Sequence, residues 1–374
     1  MTVCGERGGS LRLLITADAA GGVWTYALDL AAGLAAHGIT PVIAVLGAAP
    51  AGDQLLRAAA IPGLELLSTG LPLDWLADGP GELRAAGRAL AALAETARVD
   101  VVHLNSPSYA AEVTFRVPVV TMSHSCVATW WDAVCGGDLP PDLAWQAEIT
   151  RRGCLAAATL VTPSGAFAEA TARRYALPRR PAVVHNGRRP MAVAGEAPPD
   201  LPADFVLTAG RLWDKGKNLG TLDLAAARLG LPVLAAGPLA GPNGDRAEPR
   251  HIRPLGQLGE PALVALLARR PVYASLALYE PFGLAVLEAG GAGCPLVLSD
   301  IPTFREIWGG AALYVPPRDE AAAAEAIARL AADPAERARL GDAARRRAAR
   351  YTVEAMAGAM LDVYRPLLPG SLAA

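Results

Sequence analysis

Lysine is nearly absent from this chain. Of 34 basic residues among 374, only Lys215 and Lys217 are lysines, and both lie in one stretch, "GRLWDKGKN" (210–218). Aromatic residues make up 5% and charged residues 19%, against 52% hydrophobic residues rich in alanine, which excludes a disordered chain. A net charge of −2 gives no overall electrostatic case for nucleic acid. The five cysteines (Cys4, Cys126, Cys135, Cys154, Cys294) form no C-x-x-C pair, which argues against a zinc site or a disulfide frame and for reduced thiols. No uninterrupted apolar run reaches the length of a membrane span. The opening "MTVCGERGGS" lacks the apolar core of a signal peptide. The expectation is a cytoplasmic protein, attached at most peripherally to the inner face of the membrane.

Local charge is less even. Residues 151–190 carry eight arginines, in the pairs Arg151-Arg152, Arg173-Arg174, Arg179-Arg180 and Arg188-Arg189, against one acid, Glu169. A solvated face and a patch for membrane or an anionic acceptor both fit this pattern.

A chain of this length suggests about two domains. Short β-branched runs alternate with longer Ala/Leu-rich stretches, the mark of βαβ units on a parallel sheet. "LRLLITAD" (11–18) reads as a strand and "VWTYALDLAAGLAAHG" (23–38) as a helix closed by Gly38; "TPVIAVLG", "VDVVHLN", "VPVVTMSH", "ATLVTPS" and "PAVVHNG" repeat the strand pattern. The aperiodic "RRPMAVAGEAPPDLPAD" (188–204) reads as a linker. A second series follows: "DFVLTAG", "LPVLAAG", "HIRPLG", "PVYASL", "CPLVLSD" and "AALYVPP". Helices run from about Asp319, broken at Asp333-Pro334 and near Tyr351-Thr352, and the last is amphipathic and must bury a face. The expected fold class is α/β, with two Rossmann-like domains facing each other. Ligands then belong at the carboxyl ends of the strands, where Asp18, Gly21-Gly22, Asn105, His124, Ser164 and Asn186 lie in the first series, and Arg211, Gly237, Gly256, Glu280 and Asp300 in the second.

The richest segment is "SLALYEPFGLAVLEAGGAGCPLVLSD" (275–300). Pro281 after Glu280 suits a first helical position, which would leave the N–H groups of Phe282, Gly283 and Leu284 free at a helix start that attracts phosphate. Glu288 is eight residues beyond Glu280, roughly 12 Å if the span is helical. That is too far for the ~5 Å carboxylate pair of a retaining glycosidase and suits two ends of one long ligand. An ordinary Glu-Pro helix opening with a surface glutamate behind it fits the same spacing.

Glu280-Pro281-Phe282-Gly283-Leu284 followed by Glu288 resembles the E-x7-E signature of glycosyltransferase family 4 (glycosyl transferases group 1), retaining sugar-nucleotide transferases of the GT-B fold. The Gly-Gly turn after the first strand, the histidine after "VVTMS", "TPSG", "HNG", "GRL" with a following lysine, and the returning C-terminal helix fall in family order, so the resemblance covers nearly the whole chain. It implies an acceptor-side domain of residues 1–190 completed by a helix at 352–374, and a donor-side domain of residues 201–350. Glu288 would accept from ribose hydroxyls and Glu280 would lie near the transferred sugar. The backbone of Phe282, Gly283 and Leu284 would hold sugar and diphosphate. Arg211 and one lysine would neutralise the diphosphate, Lys217, at the start of the following helix, matching the position better and Lys215 facing solvent. Gly21 and Gly22 would let the first helix approach the phosphates. His124 would lie beside the reacting sugar, and Asn186 and the backbone around Leu255 would contact the donor.

No cofactor and no metal ion is expected; the donor would be a UDP-, GDP- or ADP-sugar and the acceptor a sugar, a polysaccharide precursor or a lipid. Trp130 and Trp131 suit acceptor stacking or core packing equally. Taken alone, a histidine after a β-strand, such as His124, is more often structural than catalytic. The first strand is not followed by G-x-G-x-x-G, which counts against a nicotinamide dehydrogenase. Two rival readings stand: another GT-B enzyme such as a sugar-nucleotide epimerase, and a non-catalytic GT-B partner subunit. A phosphorylase would need a pyridoxal lysine, and both lysines sit in one loop.

Overall fold

A computed structural model describes residues 10–19, 21–190 and 200–368. The first series of strands is β1 (Arg12–Asp18), β2 (Thr40–Leu46), β3 (Glu65–Ser68), β4 (Val101–Leu104), β5 (Val119–Met122), β6 (Thr159–Thr162) and β7 (Ala182–Val183). Helices α1 (Gly22–Ala35), α2 (Gly52–Ala59), α3 (Pro80–Thr96), α4 (Val127–Val134), α5 (Ala144–Ala156) and α6 (Gly165–Arg174) fall among them. The second series is β8 (Val206–Ala209), β9 (Val233–Ala236), β10 (Ile252–Gly256), β11 (Val272–Ser275), β12 (Leu296–Ser299) and β13 (Ala312–Val315). Its helices are α7 (Leu219–Ala226), α8 (Glu260–Ala268), α9 (Leu284–Ala292), α10 (Pro302–Trp308), α11 (Glu320–Ala332) and α12 (Pro334–Ala348), and α13 (Val353–Tyr364) follows.

The strands form two parallel sheets, ordered β3-β2-β1-β4-β5-β6-β7 and β10-β9-β8-β11-β12-β13. The described residues divide into two compact units. One holds the chain through His124, Pro141–Thr162 and the chain from Val353 on; the other holds Ser125–Pro140 and Pro163–Thr352. Of the expected linker (188–204), residues 191–199 lie outside the described residues, as do Cys4 and residues 369–374 of the expected last helix.

The second sheet shows why its strands read as unbroken apolar runs. Along β11, Tyr273 enters one core cluster while Val272 and Ala274 enter the other; along β12, Leu296 and Leu298 enter the first and Val297 the second. Successive side chains point to opposite faces, and both faces are covered, so both must be apolar. Edge strand β3 is absent from the expected series: its two ends, Glu65 and Ser68, are exposed and the run "ELLS" is only four residues long. The "PAVVHNG" strand shrinks to two residues. The expected breaks near the C-terminus hold, because Asp319 and Asp333 each cap a new helix, accepting from the backbone N–H of Ala322 and Glu336.

Helix α13 returns to the first unit and buries Met356, Ala357, Met360 and Tyr364. Its landing site is a glycine on α1: a Cβ on Gly33 would stand 2.7 Å from Ala357 Cβ and 2.9 Å from Val353 Cγ1. Gly33→Leu therefore drives an isobutyl group into a filled interface. We expect a loss of about 1–3 kcal/mol in chemical denaturation, against near-neutrality for the same change at Gly52, where the added Cβ meets open space.

Candidate active site

In the second sheet the strand order reverses between β8 and β11, so the connections leaving these neighbours diverge and open a crevice at their carboxyl ends. Beyond β8 come Gly210, at φ 148°, then Arg211 and a single 3-10 turn, Lys215–Lys217. Asp214 caps that turn, its Oδ1 accepting from the Gly216 N–H at 2.8 Å. Beyond β11 the chain leads to Glu280. Lys217 Nζ lies 2.5 Å from Glu280 Oε2, and both side chains are largely buried, 24% and 14% exposed. Arg211 is exposed, with its guanidinium 5.7 Å from the Trp213 ring centre and Nη2 3.4 Å from Asp214 Oδ2. Lys215 points to solvent, 68% exposed and 4.0 Å from Asp245. The glycine between the lysines has its own reason: a Cβ on Gly216 would lie 2.9 Å from Trp130 Nε1, which donates to Asp214 Oδ1 at 3.0 Å. Trp130 thus braces the lysine turn.

Two local expectations need correction. Lys217 does not open a helix; it closes the 3-10 turn, Asn218 follows at φ 56°, and α7 begins at Leu219. Pro281 is not a first helical residue either. Helix α9 starts at Leu284 behind Gly283, whose φ of 94° and ψ of 65° lie outside a right-handed helix. Phe282 is 3% exposed in the core, and turning it inward displaces the helix start by three residues. The free N–H groups at this end are consequently those of Leu284, Ala285 and Val286.

Glu288 sits in the second turn of α9 in an ion pair that sequence reading did not assign. Arg188 Nε and Nη2 each lie 2.8 Å from Glu288 Oε1, with side chains 6% and 12% exposed. The pair lines a cavity of about 460 Å³ that Arg189, Arg270, Leu287 and Tyr351 also border. Asn186 is buried, and its Oδ1 has no hydrogen-bond partner among the described residues. Leu255 packs at the edge of the core just before Gly256, whose carbonyl accepts from the Gly237 N–H at 2.8 Å. Lys217, Glu280 and the start of α9 are thus gathered at one crevice, Arg211 is turned toward Trp213 and Asp214, and Glu288 is engaged by Arg188.

The first sheet reverses between β1 and β4. Beyond β1, Gly21 caps α1 and Gly22 begins it. Asn105 follows β4, and His124 follows β5 at the second residue. The His124 ring meets Tyr26 of α1 edge-on at 4.5 Å, and its Nε2 lies 2.9 Å from Asn105 Oδ1. His103, fully buried on β4, approaches the same oxygen through Nε2 at 3.1 Å, and its Nδ1 is 2.7 Å from the Tyr364 hydroxyl. Burial pushes the His103 pKa down to about 4. Burial first, and the neighbouring His103 second, hold His124 well below its ordinary value. Sequence reading missed His103 and Tyr364. The spacing of His103 and Asn105, two apart and so on one face of the sheet, was the available signal.

The arginine-rich segment is not set against a single acid. Arg151 and Arg152 pair with Glu148, Arg152 also with Glu112, Arg174 with Asp132 at 3.6 Å, and Arg180 with Glu169. Acids from other segments fold back onto it, leaving Arg173 and Arg179 without an ion-pair partner among the described residues. No helix among the described residues is long and apolar enough to cross a membrane.

Residues 20–190 match the model of Glycosyltransferase Family 4, and residues 247–347 that of Glycosyl transferases group 1. The chain belongs to glycosyltransferase family 4. A glycogen synthase of Mycobacterium tuberculosis is 42% identical over 100 residues, which is 26% of this chain and 24% of that protein. The chain's match thus spans about a quarter of that relative's length. Among solved structures, sucrose-phosphate synthase of Thermosynechococcus elongatus superposes with a TM-score of 0.76 at 21% identity, covering 96% of this chain and 99% of the other. Anabaena HepE in complex with UDP-glucose gives 0.71 at 18% identity, covering 96% and 100%. The fold of this family-4 chain is GT-B.

The buried histidine carries a stability signature. The unfolded chain takes up a proton at His103 near pH 6.5, whereas the folded chain resists until about pH 4. Acid therefore favours the unfolded state across that window, and stability present above pH 6.5 is lost as pH falls, by up to ~1.4 kcal/mol per pH unit. Urea unfolding followed between pH 7 and pH 4.5 should show this slope, and His103→Gln should reduce it, leaving the share that His124 contributes with the same sign.

Proposed function

We propose that this chain is a retaining glycosyltransferase that moves a sugar from a nucleotide-diphosphate sugar to an acceptor hydroxyl. One observation carries the reading: Lys217 and Glu280 meet at 2.5 Å at the crevice where the second sheet reverses. Breaking the anomeric C–O bond sends an electron pair onto the departing diphosphate, and fixed cations aimed at that charge lower the barrier. In this reading Lys217 exchanges its contact with Glu280 for a phosphate oxygen, and Glu280 is released to accept from sugar hydroxyls. Arg211 and the free amides of Leu284, Ala285 and Val286 complete the charge complement. The acceptor oxygen then bonds to the anomeric carbon on the face the diphosphate leaves, and its proton passes to the leaving phosphate oxygen. His124, neutral, is assigned a ligand hydroxyl, and Glu288, oriented by Arg188, the ribose. The reading needs no metal ion, and the donor is a UDP-, GDP- or ADP-sugar; HepE, crystallised with UDP-glucose, puts the uridine series first in order of testing.

The test is a thermal-shift screen of nucleoside diphosphates and their sugars, in which the matched base stands out by mass action. Release of nucleoside diphosphate from the best donor is then followed with a panel of acceptors, with EDTA present. Lys217→Ala should lower kcat by about 10²–10³-fold, the scale of losing one preorganised charge donor, while Lys215→Ala stays within a few-fold, as an exposed and screened charge should. The opposite ranking would overturn the assignment, and absence of binding and release with every donor would overturn the reaction.

The proposed acceptor is a sugar, a polysaccharide precursor or a lipid, used at the inner face of the membrane in a cytoplasmic protein. Arg173 and Arg179, which have no ion-pair partner among the described residues, are the proposed contacts for anionic lipid. Flotation with liposomes containing phosphatidylserine should recover the protein, and Arg173→Gln with Arg179→Gln should release it; equal recovery of both proteins would rule this out.

A further inference from the structure

The amide of Asn105 has a fixed orientation that can be derived from its neighbours. Its Nδ2 lies 2.5 Å from the carbonyl oxygen of Thr16, an atom that only accepts, so the amide nitrogen must be on that side. Its backbone N–H donates to Thr16 Oγ1 at 2.8 Å, which anchors the same residue a second time. Oδ1 is thereby turned toward two imidazoles, His124 Nε2 at 2.9 Å and His103 Nε2 at 3.1 Å. An amide oxygen cannot donate, so both rings must carry their proton on Nε2. The neutral His103 ring then has a bare Nδ1, and Tyr364 meets it as donor at 2.7 Å. His124 is left with a bare Nδ1 that has no hydrogen-bond partner among the described residues.

We infer that Asn105 is the positioning residue for His124: it fixes the ring and the site of its proton, so that His124 presents Nδ1 as an acceptor for a ligand hydroxyl. The His103–Tyr364 pair occupies the second lone pair of the same oxygen and keeps the amide from turning. Helix α13 thus reaches the first unit's crevice through one hydroxyl. The kinetic part of this inference rests on the proposed transfer reaction; the ring geometry does not.

Two measurements on the full chain test it. In ¹H–¹⁵N spectra of the imidazoles, wild-type His124 should show a single Nε2-protonated form with a ring proton protected from exchange. Asn105→Leu should lose that protection. Tyr364→Phe, which keeps the packed ring and removes only the hydroxyl, should speed exchange at His103. In kinetics with the best donor, Asn105→Leu should lower kcat on the order of tenfold, the scale of one hydrogen bond, with donor KM within about twofold. In a His124→Ala background the same change should cost nothing further, because it acts only through the missing ring. A His124 ring proton that stays protected in Asn105→Leu, or single-mutant losses that multiply, would overturn the inference. If no donor is turned over while the ring proton behaves as expected, the transfer reaction fails and the positioning stands.

Discussion

A parallel sheet delivers the carboxyl end of every strand to one edge, and two neighbouring strands whose connections diverge leave a gap there that neither connection can cover. Both units of this chain are built around such a gap. In the first, β1 and β4 bring together the Gly21-Gly22 turn and Asn105, with His124 one strand further on. In the second, β8 and β11 set the lysine turn against Glu280. The residues that matter are distant in sequence, and topology alone makes them neighbours. The surrounding helices, cores and caps keep those strand ends in register.

In the proposed reading, two glutamates near a bound diphosphate pose an electrostatic problem. A bare carboxylate in a half-buried crevice repels the ligand and carries its own desolvation cost. The fold meets this by giving each glutamate a separate cation: Lys217 for Glu280, Arg188 for Glu288. The two pairs differ in kind. Arg188 directs two nitrogens at one oxygen, nearly out of solvent, which suits a fixed orientation. Lys217 makes one contact at the end of a flexible stem, which would let it change partners as the proposed reaction requires.

What the sequence discloses follows the range of the forces involved. Strands buried on both faces announce themselves as apolar runs, and α11 and α12 announce their starts through Asp319 and Asp333, whose side chains cap amides three residues on. Edge strand β3, four residues long with both ends exposed, does not. The start of α9 was misjudged because a local preference, proline at the first helical position, yields to the burial of Phe282 and to the left-handed Gly283. Arg211, Lys217 and Glu280 are legible as members of a motif. Arg188–Glu288, 100 residues apart, and Tyr364–His103, 261 apart, are tertiary pairs for which no local pattern exists.

The scarcity of lysine now divides into two separate facts. Lys215 faces solvent, and nothing in its surroundings distinguishes its ammonium from a guanidinium. Lys217 is different. Its stem runs alongside Gly210, where an added Cβ would lie 3.6 Å from Lys217 Cε, in ordinary van der Waals contact. The void beside it, bounded by Thr208, Tyr273, Ser275 and Glu280, is about 10 Å³, room for about one water and not for the further atoms of a guanidinium. The contact here is to one oxygen of Glu280, which a compact ammonium on a flexible stem meets without the oriented fork of a guanidinium. An arginine at 217 would have to displace Glu280 or turn out of the crevice, and either move removes the charge from the place where the departing diphosphate would need it.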